Sequence, residues 1–337
     1  MKQPYIYQNY APSRRTLLIM GSTLGAACIP AIAKIAGWPS KSIRIVCTQA
    51  PGSSTDSTAR AIADHFANNL GVPVIIENKP GAVGMIAAET VAKAAADGYT
   101  LLMSPQSQLA QAPILLKNPP IDPDKDLIPI GSFGVGPATA AVHKSFPAST
   151  LVEVIAYGRA HPINTGNYAL GSPWQLQLAQ LTKDTGAQFN LIPYKGTTPM
   201  AADLYAGTLQ MAAGSLVGMG PGIQDGTTKP IVIFLGGRSK RLPGVPSWAD
   251  AGFKGPAFDD LVESNMLFAP AQTAPGIIAE LAKLIRTSID ESPRVRTVRD
   301  NLGAEDIPLT GTELKESIAR TWSTYRRMTR ELGFTPE

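Results

Sequence analysis

Histidine occurs three times and cysteine twice in the 337 residues, and this scarcity removes several chemistries at once. His65, His143 and His161 are not paired at metal-ligand spacing, and neither HExxH nor CxxC is present, so no metal site is expected. The G-x-S-x-G elbow that exposes a serine nucleophile is missing, and so is a base placed to activate one. "GTTPMAADLYAG" lacks the lysine of a phosphate-binding loop, and no G-x-G-x-x-G follows the first strand, which speaks against nucleotides. No catalytic residue and no cofactor is assigned. Charge is modest too, at 17% of residues, and the net charge is +4. Lys2, Arg14 and Arg15 lie in the first 33 residues with no acid among them, so the rest of the chain carries only +1. Such a chain has no basic field for nucleic acid.

What is there begins with a targeting pattern. "SRRTLLIM" (Ser13 to Met20) sets twin arginines before an apolar run from Leu17 to Ile32, which closes on "AIA" (Ala31 to Ala33). This reads as an export signal at residues 1–33, cleaved after a small-x-small site and of the twin-arginine type. A membrane anchor is the alternative, but Gly21, Ser22, Gly25 and Pro30 interrupt a run already short for a span. Cys28 raises a lipoprotein reading, yet Gly25 stands where a lipobox wants Leu. With the leader gone, Cys47 is alone, and in an oxidising compartment a lone thiol belongs inside a strand such as "IVCT". The mature protein is expected in the periplasm, as a monomer.

A chain of this length favours two domains, and strands alternate with helices along it. "SIRIVC", "VPVIIEN" and "YTLLM" read as strands around two helices, one carrying Ala59, Ile62, Ala63, Phe66 and Leu70 on a face and ending at Gly71. The second helix is expected over 85–98. This β-α-β-α-β series implies a parallel sheet with right-handed crossovers. After "NPPIDPDKD" and a glycine-rich bend, a second series opens on the capping box "TLVE" and continues through "INTGNYA", "GSPWQ", "FNLIPY", "TPMAADLYAG", "LQMAA" and "IVIFLG". In "TPMAADLYAG", Thr198 is the expected cap and Pro199 the first helical residue. One more strand, "SNMLFAPA", precedes three helices. These helices have no sheet of their own and must return to the first domain. The expected lobes are therefore 38–136 plus 257–337, and 137–256, with crossings near 134–138 and 255–258.

Three polar strand-to-helix turns stand out. "APGSSTD" places Pro51, Gly52, Ser53, Ser54, Thr55 and Asp56 at a helix start, where free N–H groups and hydroxyls favour an anion. The same residues are equally good helix caps. "GSPWQ" puts Gly171 and Ser172 at a second start, and "MSPQSQ" adds Ser104 and Ser107. Turns of this kind in two α/β domains suit a ligand held outside the carboxyl ends of both sheets.

The stretches "WPSKSIRIV", "PGSSTDSTAR", "ENKPGAVGMIAAETVAKAAADGYTLL", "IPYKGTTP", "LPGVPSWADAGF" and "LFAPAQTAPGII" together resemble the extracytoplasmic solute receptors of tripartite tricarboxylate transporters, the Bug family. The resemblance implies a two-domain Venus-flytrap periplasmic binding protein of type II. Each lobe would be a mostly parallel sheet flanked by helices, and the first lobe would be discontinuous. It implies a small carboxylate clamped between the lobes and delivered to membrane permease subunits. The family's first ligand loop falls on Pro51 to Asp56 and its second on Gly166 to Gln175, with Ser104, Ser107 and Lys195 as further contributors. Here the chain departs from the pattern: Tyr168, Leu170 and Trp174 replace small residues, and Ala213 stands where relatives carry an aspartate. Either the rings line a more apolar ligand site or they fill core. Two other functions remain open on the residues: a ligand-sensing partner of a signalling kinase, and a serine-type hydrolase.

Overall fold

In the run Ile43–Cys47 (β1) every residue but the half-buried Arg44 is apolar and enclosed, as befits the inner strand of a sheet covered by helices on either side. Burial pushes the Cys47 thiol up to about 12, so it stays protonated and inert. The computed structural model describes residues 37–134, 136–234, 238–261, 263–304 and 307–334. The leader read from residues 1–33 lies outside them. Helix α1, Ser54–Leu70, follows, with the Ser53 hydroxyl accepting from the Asp56 N–H at 3.2 Å and Gly71 closing it in the left-handed region. Ala59, Ile62, Ala63 and Phe66 form its buried face. Then come β2 (Val74–Asn78), α2 (Met85–Ala92), β3 (Thr100–Pro105), α3 (Gln106–Leu115), the single turn α4 (Pro123–Asp126) and β4 (Leu127–Gly134).

The chain then crosses to a second sheet. Its elements are β5 (Ala138–His143), α5 (Leu151–Ala160), β6 (Ile163–Asn167), α6 (Pro173–Thr185), β7 (Phe189–Pro193), α7 (Thr197–Tyr205), β8 (Met211–Ser215), α8 (Leu216–Gln224) and β9 (Thr228–Ile233). The short α9 (Pro256–Asp259) leads back to β10 (Ser264–Pro270), followed by α10 (Pro275–Glu291), α11 (Pro293–Leu302) and α12 (Gly311–Glu331). The sheets are ordered β2-β1-β3-β10-β4 and β7-β6-β8-β5-β9. In each, four strands run parallel and the fourth position is antiparallel, taken by β10 in one and β5 in the other. The fold is thus α/β with two lobes, and the first is discontinuous because its antiparallel strand arrives 130 residues after β4 ends. Among the described residues no helix is long and apolar enough to cross a membrane.

Several elements differ from the sequence expectation. Helix α2 stops at Ala92, six residues early, and Gly98, at φ +78°, instead sits where a Cβ would meet Ile277 and Trp38. Helix α3 was hidden: Gln106 through Ala112 are buried without a break, so no amphipathic period marks it, and Pro113 disguises it further. Three glycines and Pro221 likewise conceal α8. Helix α7 starts two residues before Pro199 would place it, with Gly196 as its N-cap. Thr198 does not cap it; its hydroxyl reaches across to the other lobe.

Candidate functional site

In a parallel sheet the carboxyl ends of the strands face one way, and the helix that follows each strand points its amino end there. An antiparallel strand contributes its starting end to the same edge. Both sheets turn this edge toward a shared cleft. The first lobe supplies Gln49 beyond β1, Ser53, Ser54 and Thr55 at the start of α1, and Pro105 between β3 and α3. It also supplies Glu263 and Asn265, where β10 begins. The second lobe supplies Ala138 at the start of β5, Tyr168 after β6, Thr197 at the start of α7 and Ser215 at the start of α8. Gly136, between the sheets, lines it as well.

The cleft therefore gathers the amino ends of four helices: α1, α3, α7 and α8. Each brings first-turn N–H groups without intrahelical partners and the positive end of the helix dipole. On α1 the Ser53 hydroxyl already serves as cap, and Thr55 donates to Asn265 Oδ1 at 2.7 Å. On α7 and α8 no side chain caps the first turn. Ser215 is 9% exposed and its Oγ has no hydrogen-bond partner, although a buried hydroxyl left unpaired is costly. Gly214 and Gly218 are what let Thr197 come this close, since a Cβ on either would strike its side chain.

Of the residues singled out in the sequence, the structure brings Ser53, Ser54 and Thr55 to the cleft. Pro51 is exposed, and Gly52 points its carbonyl at the Thr198 hydroxyl, 3.0 Å away. Asp56 is buried, and burial alone would raise its pKa. Hydrogen bonds from Arg60, the Gly52 N–H and the Asn78 amide outweigh that and hold it below the ordinary carboxylate range. It braces the loop. Ser104 is enclosed between Thr48 and the Pro105 carbonyl, and Ser107 donates to Glu263 at 2.5 Å. Lys195 is exposed and Ala213 is buried in β8 opposite Ala140.

The "GSPWQ" start is capped from within, with further bonds from Asn167 and Gln111. Ser172 caps Gln175 N–H and donates to Asn167, Gln175 Oε1 accepts from the Gly171 N–H, and Gln111 donates to the Gly171 carbonyl. Gly171 and Ser172 therefore do not border the cleft. Trp174 stacks on Phe234 at 5.4 Å, and Phe234 packs on Trp248, so this ring fills core. Tyr168 is different and does line the cleft. Sequence reasoning passed over Thr197, Ser215, Asn265 and Glu263. Thr197 follows the glycine of the quoted "IPYKGTTP", and that glycine before a helix was the available signal. Glu263 had none, since only the return of β10 brings it here. Among the described residues no three His, Cys, Asp or Glu side chains gather as metal ligands.

Comparison with known proteins agrees with this architecture. Residues 58–334 match the tripartite tricarboxylate transporter family receptor. The chain is 31% identical to Protein BugT of Bordetella pertussis over 324 residues, which covers 95% of this chain and 98% of that one. Among solved structures it is similar to Rpa4515 of R. palustris with adipate, at 26% identity and a TM-score of 0.82 over 89% of this chain and all of that one. It is also similar to MatC (Rpa3494) of Rhodopseudomonas palustris with bound malate, at 28% identity and a TM-score of 0.75, covering 88% and 98% of the two chains.

Proposed function

Since the chain belongs to the tripartite tricarboxylate transporter receptor family, we propose that it binds a small carboxylate between its lobes and delivers it, without chemical conversion, to membrane permease subunits. The observation that carries this reading is the buried Ser215 hydroxyl, unpartnered at the uncapped start of α8 and facing the starts of α1 and α7. Those donors suit an anionic oxygen, and no histidine lines the cleft among the described residues. Adipate and malate in the two similar structures are small carboxylates. The twin-arginine leader supports export to the periplasm, where a receptor would meet its solute. A ligand bridging both lobes stabilises the closed form alone, and that form would dock on the permease.

Thermal denaturation against a panel of mono-, di- and amino-carboxylates tests the proposal. A true ligand at 100 times its Kd should add about 2.7 kcal/mol of stability. Ser215→Ala should weaken that ligand about tenfold while leaving the ligand-free melting temperature nearly unchanged, because the hydroxyl bonds to nothing in the protein. No shift across the panel, or full affinity in Ser215→Ala, would overturn it.

A further inference from the structure

Among the described residues lining the cleft, Glu263 is the single carboxylic acid or base. Its oxygens accept from the Ser107 hydroxyl at 2.5 Å, the Ser107 N–H at 3.3 Å and the Ser264 N–H at 3.2 Å. It thereby supplies α3 with the cap that Pro105 cannot give. One of the four helix starts thus already holds a carboxyl group of the protein itself, ionised above about pH 7. None of the ion pairs among the described residues reaches Glu263. Its titratable neighbours are the phenols of Tyr168 and Tyr325, both of which feel its charge. On its far side Asp259, Asp260 and Arg320 border a separate depression.

The cleft is consequently polarised. Hydroxyls and uncapped N–H groups of α7 and α8 form one wall, and a carboxylate beside an aromatic ring forms another. An anionic group is stabilised at the first and repelled at the second, where like charges in a shielded space cost most. A cation is welcome there, because Glu263 offers charge-assisted acceptance. We propose that Glu263 is a specificity-determining residue that selects a carboxylate whose other end is a protonated amine, and rejects a matched dicarboxylate. This rests on the carboxylate reading of the same cleft.

The matched pairs glutarate with 4-aminobutanoate, and adipate with 5-aminopentanoate, each differ only in that terminal group. Calorimetric titration at pH 8 should show the purified protein preferring the amino member by about tenfold or more. Glu263→Gln should abolish or invert that preference, and Glu263→Asp should retain part of it. The comparison within the unmutated protein stands even if Glu263→Gln fails to fold. Equal or tighter binding of the dicarboxylates, or an unchanged ratio in a folded Glu263→Gln, overturns the proposal while leaving carboxylate binding intact. Failure of every member of both pairs, and of the wider carboxylate panel, would remove the carboxylate reading and this proposal with it.

Discussion

Asp56 and Glu263 are two shielded carboxylates with opposite surroundings. Asp56 has a guanidinium and two neutral donors around it, and they overcome the burial that would otherwise raise its pKa. Glu263 has only neutral donors, and burial lifts its pKa to about 7 from 4.5. The consequence for stability has a definite sign. The folded state holds the Glu263 proton more tightly than the unfolded chain does, so its contribution is complete below about pH 4.5 and is lost as pH rises from there through 7. The Tyr168 and Tyr325 phenols, raised well above 10 by burial, remain neutral over this range. The urea midpoint should therefore fall between pH 5 and pH 8 more steeply in the native protein than in Glu263→Gln. Parallel profiles for the two proteins would refute this assignment.

Across elements, a strong capping signature does not by itself mark a ligand site. Helix α6 has the clearest start in the sequence, with Ser172, Pro173 and Gln175, and for that reason its donors are occupied by its own side chains. Helices α7 and α8 begin with no side-chain cap, and they leave donors free for something else. The segment joining β4 to β5 is constrained in another way. Gly136 adopts φ +61°, and a Cβ there would run into the Leu302 carbonyl at the end of α11. Gly136→Ala should therefore destabilise the fold by about 1–3 kcal/mol through strain at a positive φ and a backbone clash, measured by equilibrium urea unfolding. A neutral Gly136→Ala would mean that the crossing segment can move away from α11.

For the molecule as a whole, the lobes touch on both flanks of the cleft. Thr198 donates to the Gly52 carbonyl at one, and Gln111 to the Gly171 carbonyl at the other. Thr198 does not line the cleft, yet its bond exists only while the lobes are together. Thr198→Ala should weaken ligand binding about two- to tenfold, the worth of one hydrogen bond that favours the closed form, with ligand-free stability nearly unchanged. Equal affinities by calorimetry would show that this contact does not help hold the lobes shut. The alternation of apolar strands with Gly- and Ser-bounded helices was enough by itself to determine an α/β fold with two sheets and a returning strand, because these patterns act within a few residues of one another. It also determined the buried place of Cys47 and the hydroxyl-rich start of α1. Helices α3 and α8 escaped it, since burial on all sides and internal proline erase periodicity. Only the tertiary structure decided which helix starts face the ligand. It placed Thr197 and Ser215 opposite Ser54, turned Trp174 inward, and carried Glu263 back through β10. Those positions depend on contacts between residues as far apart as Ser107 and Glu263, and no local pattern encodes such a meeting.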